Sequence, residues 1–289
     1  MALRPNTPKL FFQFLVTLVT ISSTTKFVSG NFYQLFDTIW GDQNVQYQDG
    51  GDVLALSMDT HSGSAIVSKH EYLFGRITMQ MKLVSGNSAG TVTTFYLASS
   101  AESHDEVDFE FLGNQSGNPY ILHTNIFAQG KGDREMQFYL WFDPTADFHN
   151  YTLIWNPLNL IFLVDDVPIR LFRNHLAAGA GFPHDQPMRV YCSLWDAEDW
   201  ATEGGLVKTD WTQVPFTAYY KGFDADACYP DYDYSKCQWS SAWTPWFNQE
   251  LDNGQIWNLK WVNDNLKIYD YCEDTKRFPD GLPKECTLP

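Results

Sequence analysis

The 289-residue chain is 44% hydrophobic and 16% aromatic, and its 35 acidic residues outnumber 19 basic ones for a net charge of −16. So acidic a surface excludes nucleic acid and acidic polysaccharides as favourable partners and favours solubility in a crowded medium. The length suits one large β domain, or one domain with an extension.

Residues 1–30 carry Arg4 and Lys9, then an apolar stretch over 10–21, then small residues that place a cleavage after Gly30. This is the pattern of a secretory signal peptide, and the stretch is too short to span a bilayer. No later segment reads as transmembrane, so a secreted protein with no membrane partner is expected. Arg4, Lys9 and Lys26 are the only charges in the leader, leaving 35 acids against 16 bases and a net charge of −19 beyond it.

The next segments read as strands. Residues 75–84 alternate, with Ile77, Met79, Met81 and Leu83 on one side and Arg76, Thr78, Gln80 and Lys82 on the other. Similar runs occupy Val53–Met58, 91–97, 138–142, 151–155, 160–164 and 188–195, separated by Gly, Asn, Asp and Pro clusters. Asp165-Asp166 reads as a hairpin turn. Many strands without a long amphipathic helix predict an all-β, two-sheet sandwich whose curved sheet holds an extended ligand. From Asp224 the texture changes to Cys, Tyr, Trp and Asp, which predicts a sandwich over 31–223 and an extension over 224–289, with a short helix near 245–252.

Residues 104–112 read His-Asp-Glu-Val-Asp-Phe-Glu-Phe-Leu. Period-two geometry places His104, Glu106, Asp108 and Glu110 on one face and Val107, Phe109 and Phe111 on the other. Crowded like charges are costly, and their pKa values are driven apart. At about 3.3 Å per residue the Glu106 and Glu110 backbones lie roughly 13 Å apart; side chains leaning inward leave roughly 5–6 Å between carboxyls, the spacing of a retaining glycosidase. The spacing alone is a weak signal, since a chain this acidic yields such a triplet by chance about 0.5 times. A solvated strand face or a calcium site are the alternatives. The continuous apolar opposite face argues against the first, and the lack of a Gly-containing calcium loop against the second. No motif for a metal or organic cofactor is present.

Cys192 stands alone, beside Val190 and Leu194 in strand alternation, and is expected to be a buried free thiol. Cys228, Cys237, Cys272 and Cys286 fall in the extension. Nearest-neighbour pairing gives Cys228–Cys237 and Cys272–Cys286, among the three connectivities that four cysteines allow.

The run 104–114, HDEVDFEFLGN, resembles the active-site signature of the xyloglucan endotransglucosylase/hydrolases, plant members of glycoside hydrolase family sixteen. The similarity continues through Tyr120-Ile121-Leu122-His123-Thr124-Asn125, through 130–135, and through 195–211 with Asp199-Trp200-Ala201. It covers essentially the whole chain after the leader, the four-cysteine extension included. The resemblance implies a curved β-jelly-roll and a retaining endotransglucosylase of the apoplast and cell wall. Such an enzyme cleaves a β-1,4-glucan backbone and religates it, with xyloglucan polymer as donor and xyloglucan chain ends or oligosaccharides as acceptor. By the same resemblance Glu106 is the nucleophile, Glu110 the acid/base, and Asp108 holds Glu106 in place and tunes its proton affinity. His123, Thr124, Asn125, Asp133, Arg134, Glu135, Trp200, Ala201, Gly205 and Arg277 fall where family members contact the glucan. Trp195 and Trp200 offer flat faces to pyranose rings.

Two sequons occur, at Asn114 and Asn150; the first, directly after the carboxylate run, is where the family carries a glycan. The segment 124–142 shows no insertion of the kind found in predominantly hydrolytic members, which points to transfer over hydrolysis. The rival readings are a hydrolase of xyloglucan, mixed-linkage or β-1,3-glucan with the same carboxylates, and a non-catalytic glucan-binding lectin on the same sandwich.

Overall fold

The computed structural model describes residues 26–28, 30–228 and 245–289. Strand propensity and alternation produce two antiparallel eight-stranded sheets packed face to face. One sheet runs Lys267–Asp270, Met136–Tyr139, Ile121–Phe127, Glu106–Leu112, Thr91–Ala98, Met188–Asp196, Ser64–Tyr72 and Phe36–Trp40. The other runs Val167–Arg173, Asn159–Val164, His149–Trp155, Gly75–Lys82, Phe216–Ala227, Val53–Met58 and Val45–Gln48, with Lys26–Val28 paired beside Phe216–Ala227. Consecutive strands such as Ser64–Tyr72 and Gly75–Lys82 lie in different sheets, which gives the sandwich its jelly-roll-like path.

The core fills the space between the sheets. Val107, Phe109 and Phe111 of the carboxylate strand are fully buried there. Phe109 meets Phe162 edge-on at 5.2 Å, and Phe111 meets Tyr151 at 4.7 Å, both across the sandwich. Each such ring contributes about 1.5–3 kcal/mol by burial. The inner face of this strand is therefore fixed by packing, and its outer face is free to carry charge.

Several expected elements differ in their bounds. The strand expected over 138–142 forms at Met136–Tyr139, since its partner Ile121–Phe127 starts opposite Tyr139 and leaves the residues beyond without a rung. The helix expected near 245–252 begins only at Asn253 and runs to Asn265. Asp252 is its N-cap, in a capping box with Gln255. The boundary expected at Asp224 falls inside the strand Phe216–Ala227. The extension then adds Lys267–Asp270 as an edge strand to the carboxylate sheet, so it lengthens that sheet. Asp165 and Asp166 both take positive φ, 47° and 61°, the type I′ geometry of a two-residue hairpin.

Cys272 and Cys286 are bridged, and Cys192 is free and buried, with burial pushing its thiol pKa up. Cys228 is also disulfide-bonded. Its expected partner Cys237 lies outside the described residues, as does nearly all of the expected leader. No described helix is long and apolar enough to cross a membrane.

Candidate active site

Register places the acidic row in three rungs. Glu106 lies opposite Ala98 and Phe127, Asp108 opposite Tyr96 and Asn125, and Glu110 opposite Thr94 and His123. An open groove of about 400 Å³ crosses these strands, with Ala65, Thr94 and Ser193 among its small residues and Trp40, Tyr96 and Trp195 among its aromatic ones. The groove lies over the outer face, where the three carboxyls point. An extended polar ligand fits such a trough.

Burial raises all three carboxyls, but unequally. Asp108 is wholly enclosed, and desolvation, reinforced by the charges of Glu106 and Glu110, carries its pKa well above the usual carboxylate range. This favours its protonated form, in which Asp108 donates a hydrogen bond to Glu106. Glu106 is raised by burial, while His104, with Nε2 3.8 Å from Oε2, and the bond from Asp108 pull it back. Glu110 is pushed up to about 7, by burial first and then by Glu106 and Glu135.

His123 is lowered to about 4 by burial, so its ring is neutral near pH 7. Gln137 Nε2 lies 3.0 Å from His123 Nδ1, which leaves the proton on Nε2, 3.7 Å from Glu110. Two carboxyls four residues apart, each raised by burial but with only Glu106 pulled back by His104 and Asp108, are suited to paired acid and base work.

Most of the expected glucan contacts gather near Glu110. Trp200 is 39% exposed, with its ring 6.3 Å from His123 and 6.1 Å from Trp195. Arg277 binds Glu135 at 2.6 and 3.0 Å and Asp133 at 2.5 Å, bringing the extension to this end of the groove. Asn125 lines the groove, and its Oδ1 accepts from the backbone amides of Ile126 and Arg134. Ala201 is buried beneath Trp195. A side chain at Gly205 would meet the Asp199 carbonyl at 2.1 Å, so Gly205 lets the backbone that carries Trp200 close up.

Thr124 and Arg134 are not placed for the direct contact expected of them. Thr124 lies on the inner face of its strand, fully buried, where its hydroxyl accepts from Arg170 at 2.8 Å. Arg134 is buried against Phe172 and Glu285 and donates to the carbonyl of Lys131 at 2.5 Å. Strand alternation decides the first case, since His123 and Asn125 already occupy the outer face. In the second, the turn carbonyls and Glu285 give the guanidinium its partners.

Residues 32–213 match the model of the glycosyl hydrolases family 16, and residues 240–286 match that of the xyloglucan endo-transglycosylase C-terminus. The chain belongs to glycosyl hydrolase family 16. It is 58% identical over 273 residues to xyloglucan endotransglucosylase protein 1 of Diospyros kaki, covering 94% of this chain and 93% of that protein. It is 54% identical to probable xyloglucan endotransglucosylase/hydrolase protein 16 of Arabidopsis thaliana, covering 94% and 95%. Among solved structures, the apo Crh5 transglycosylase superposes with a TM-score of 0.57 at 25% identity, covering 71% of this chain and 84% of that one. A prokaryotic β-1,3-1,4-glucanase from a mouse hindgut metagenome shares the fold, with a TM-score of 0.53 at 23% identity over 71% and 94%.

This family 16 groove also holds residues that the sequence reading passed over. Tyr96 faces Asp108 across the rung and stacks on Tyr191 at 5.0 Å. Thr94 and Ser193 share a 2.7 Å hydroxyl bond on the floor. Alternation within 91–97 already put Thr94 and Tyr96 on one face; only the pairing of that strand with the carboxylates was missing.

Proposed function

We propose that this chain is a secreted, retaining xyloglucan endotransglucosylase. The observation that carries the reading is the division of labour between Glu110, protonated up to about pH 7, and Glu106, held by the Asp108 proton. The family and the relatives named above support xyloglucan as the polymer. The C-terminal match supports transfer as the outcome.

In the first step the Glu106 carboxylate attacks the anomeric carbon, the glycosidic C–O bond breaks, and Glu110 gives its proton to the departing 4-oxygen. A glycosyl ester on Glu106 remains. The Glu106 charge that helped raise Glu110 is now gone, so the Glu110 pKa falls and its carboxylate becomes a base. The 4-hydroxyl of an incoming xyloglucan end loses its proton to Glu110, attacks the same carbon, and releases Glu106. Trp200 and the Arg277 cluster hold the acceptor and raise its effective concentration over water.

The leader-like residues 1–30 support secretion, in keeping with a cell-wall substrate. A glycan on Asn114 fits a half-exposed turn in which Ser116 is exposed. Asn150 sits within a strand paired on both sides, with the Thr152 hydroxyl of its sequon buried against Thr78.

The test is incubation of polymeric xyloglucan with a labelled xyloglucan oligosaccharide, following size distribution, label and reducing ends. Label should enter polymer while reducing ends stay nearly constant. Steady release of reducing ends without incorporation would instead establish a hydrolase.

A further inference from the structure

Trp40 has no part in the mechanism above, yet it is 39% exposed and lines the same groove as the carboxylates. Its orientation is an exception to the strand that carries it. In Phe36–Trp40, Phe36 is buried in the core and Thr38 pairs with inward-facing Ile66, so strict alternation would send Trp40 inward too. A register shift between Thr38 and Trp40 pairs Trp40 with Ala65 on the groove side instead. Bulges beside active sites re-aim side chains in this way. Space for the ring is also provided: a side chain at Gly63 would meet two carbons of the indole at 3.0 Å.

One rung connects this ring to the chemistry. Trp40 pairs with Ala65, Ala65 with Ser193, Ser193 with Thr94, and Thr94 with Glu110. Between the indole and the acid the floor is therefore made of small side chains. Four strand spacings of about 4.8 Å make the trough about 19 Å long, room for roughly three to four pyranose rings. The side can be assigned as well. Glu110 protonates the leaving oxygen, and the His123 strand, with Glu135 and its partner Arg277 beyond it, lies in the opposite direction from Trp40. The Trp40 end thus receives the part of the chain that becomes attached to Glu106.

We infer that Trp40 is a donor-side stacking platform for a glucose unit of a β-1,4-linked main chain, several residues from the scissile bond. This rests on the reading of the groove as a glucan site. An aromatic face offers an apolar surface to the axial C–H groups of a pyranose, and stacking there adds binding before reaction. Remote binding of this kind sets which donors are long enough to react well.

The experiment compares Trp40→Ala and Trp40→Phe, each also placed in a Glu106→Ala background that binds without turnover. Retardation is measured in native gels containing xyloglucan, mixed-linkage β-glucan or no polymer. The donor and acceptor KM values are measured with the active forms. Trp40→Ala should weaken retention roughly tenfold and raise the donor KM by a similar factor, a change equivalent to about 1.4 kcal/mol. The acceptor KM should not move, and Trp40→Phe should recover most of the loss. Equal retention of parent and Trp40→Ala, or a rise in acceptor KM alone, overturns the proposal, as does a parent retained by no glucan. Retention by mixed-linkage glucan only, lost with Trp40→Ala, would uphold the platform while removing xyloglucan as the substrate.

Discussion

The guanidinium of Arg170 grips Thr124 from behind the catalytic sheet, donating from Nη1 to its carbonyl oxygen at 3.1 Å and its hydroxyl at 2.8 Å. Arg170 belongs to the opposite sheet and is fully buried, and its second nitrogen donates to the Arg134 carbonyl at 2.6 Å. Thr124 sits between His123 and Asn125, which pair with Glu110 and Asp108. One buried cation thus fixes the strand that flanks the acids and adds a positive field that opposes the rise of the Asp108 pKa.

Replacing Arg170 with Met should remove three hydrogen bonds donated to buried oxygens, destabilising the protein by about 2–4 kcal/mol. Arg170→Lys should lose less, since an ammonium keeps some of the bonds. Urea unfolding with an unchanged m-value is the measurement; wild-type midpoints for Arg170→Met would show that the contact is dispensable.

The pH dependence follows from which form each acid must take. The proposed cleavage step needs Glu106 ionised and Glu110 protonated. With Glu110 near 7, kcat/KM should fall as pH rises through about 7. It should fall again at low pH as Glu106 takes up its proton, at a pH above that of an ordinary glutamate because burial raises it. A profile flat from neutral to pH 9 would rule out Glu110 as the acid.

Glu106→Ala should lower activity by about four orders of magnitude, since the bond to the anomeric carbon has no substitute. Asp108→Asn should cost only about tenfold, because an amide still donates to Glu106 where the protonated acid did. Asp108→Ala, which removes that donor, should cost about a hundredfold. Kinetics of the three purified variants, with circular dichroism to confirm folding, decide the order; equal losses in the two Asp108 variants would refute the donor role.

The acidic row was legible because period-two alternation is a local property. His104, Glu106, Asp108 and Glu110 could share one face only if Val107, Phe109 and Phe111 took the core. The Asp165-Asp166 turn and the buried Cys192 were legible for the same local reason. What alternation could not give was the partner arriving from far along the chain. Thr124 turns inward to meet Arg170, 46 residues away, and Arg134 is held by Glu285, 151 residues away. Trp40 escaped because a bulge broke the period that would have hidden it. The helix Asn253–Asn265 escaped because only Val262 on it is buried, so no apolar stripe marks it, although the Asp252–Gln255 capping box does.

Arg277 ties the extension to the groove, and its removal should act on two measurements at once. Its guanidinium bonds both Glu135 oxygens and Asp133, and Glu135 is one of the charges that raise Glu110. Without Arg277 the Glu135 charge is less neutralised, so ionising Glu110 becomes harder and its pKa rises further. The alkaline limb of kcat/KM in Arg277→Ala should therefore move to higher pH. In the proposed reading Arg277 also helps to hold the acceptor, so the acceptor KM should rise several-fold and water should capture a larger share of the glycosyl ester. Arg277→Lys keeps the charge but not the fork that spans both acids. It should restore the pH limb more fully than the acceptor KM. An unchanged alkaline limb in Arg277→Ala would show that Glu135 does not set the proton affinity of Glu110; an unchanged transfer-to-hydrolysis ratio would place the acceptor away from this cluster.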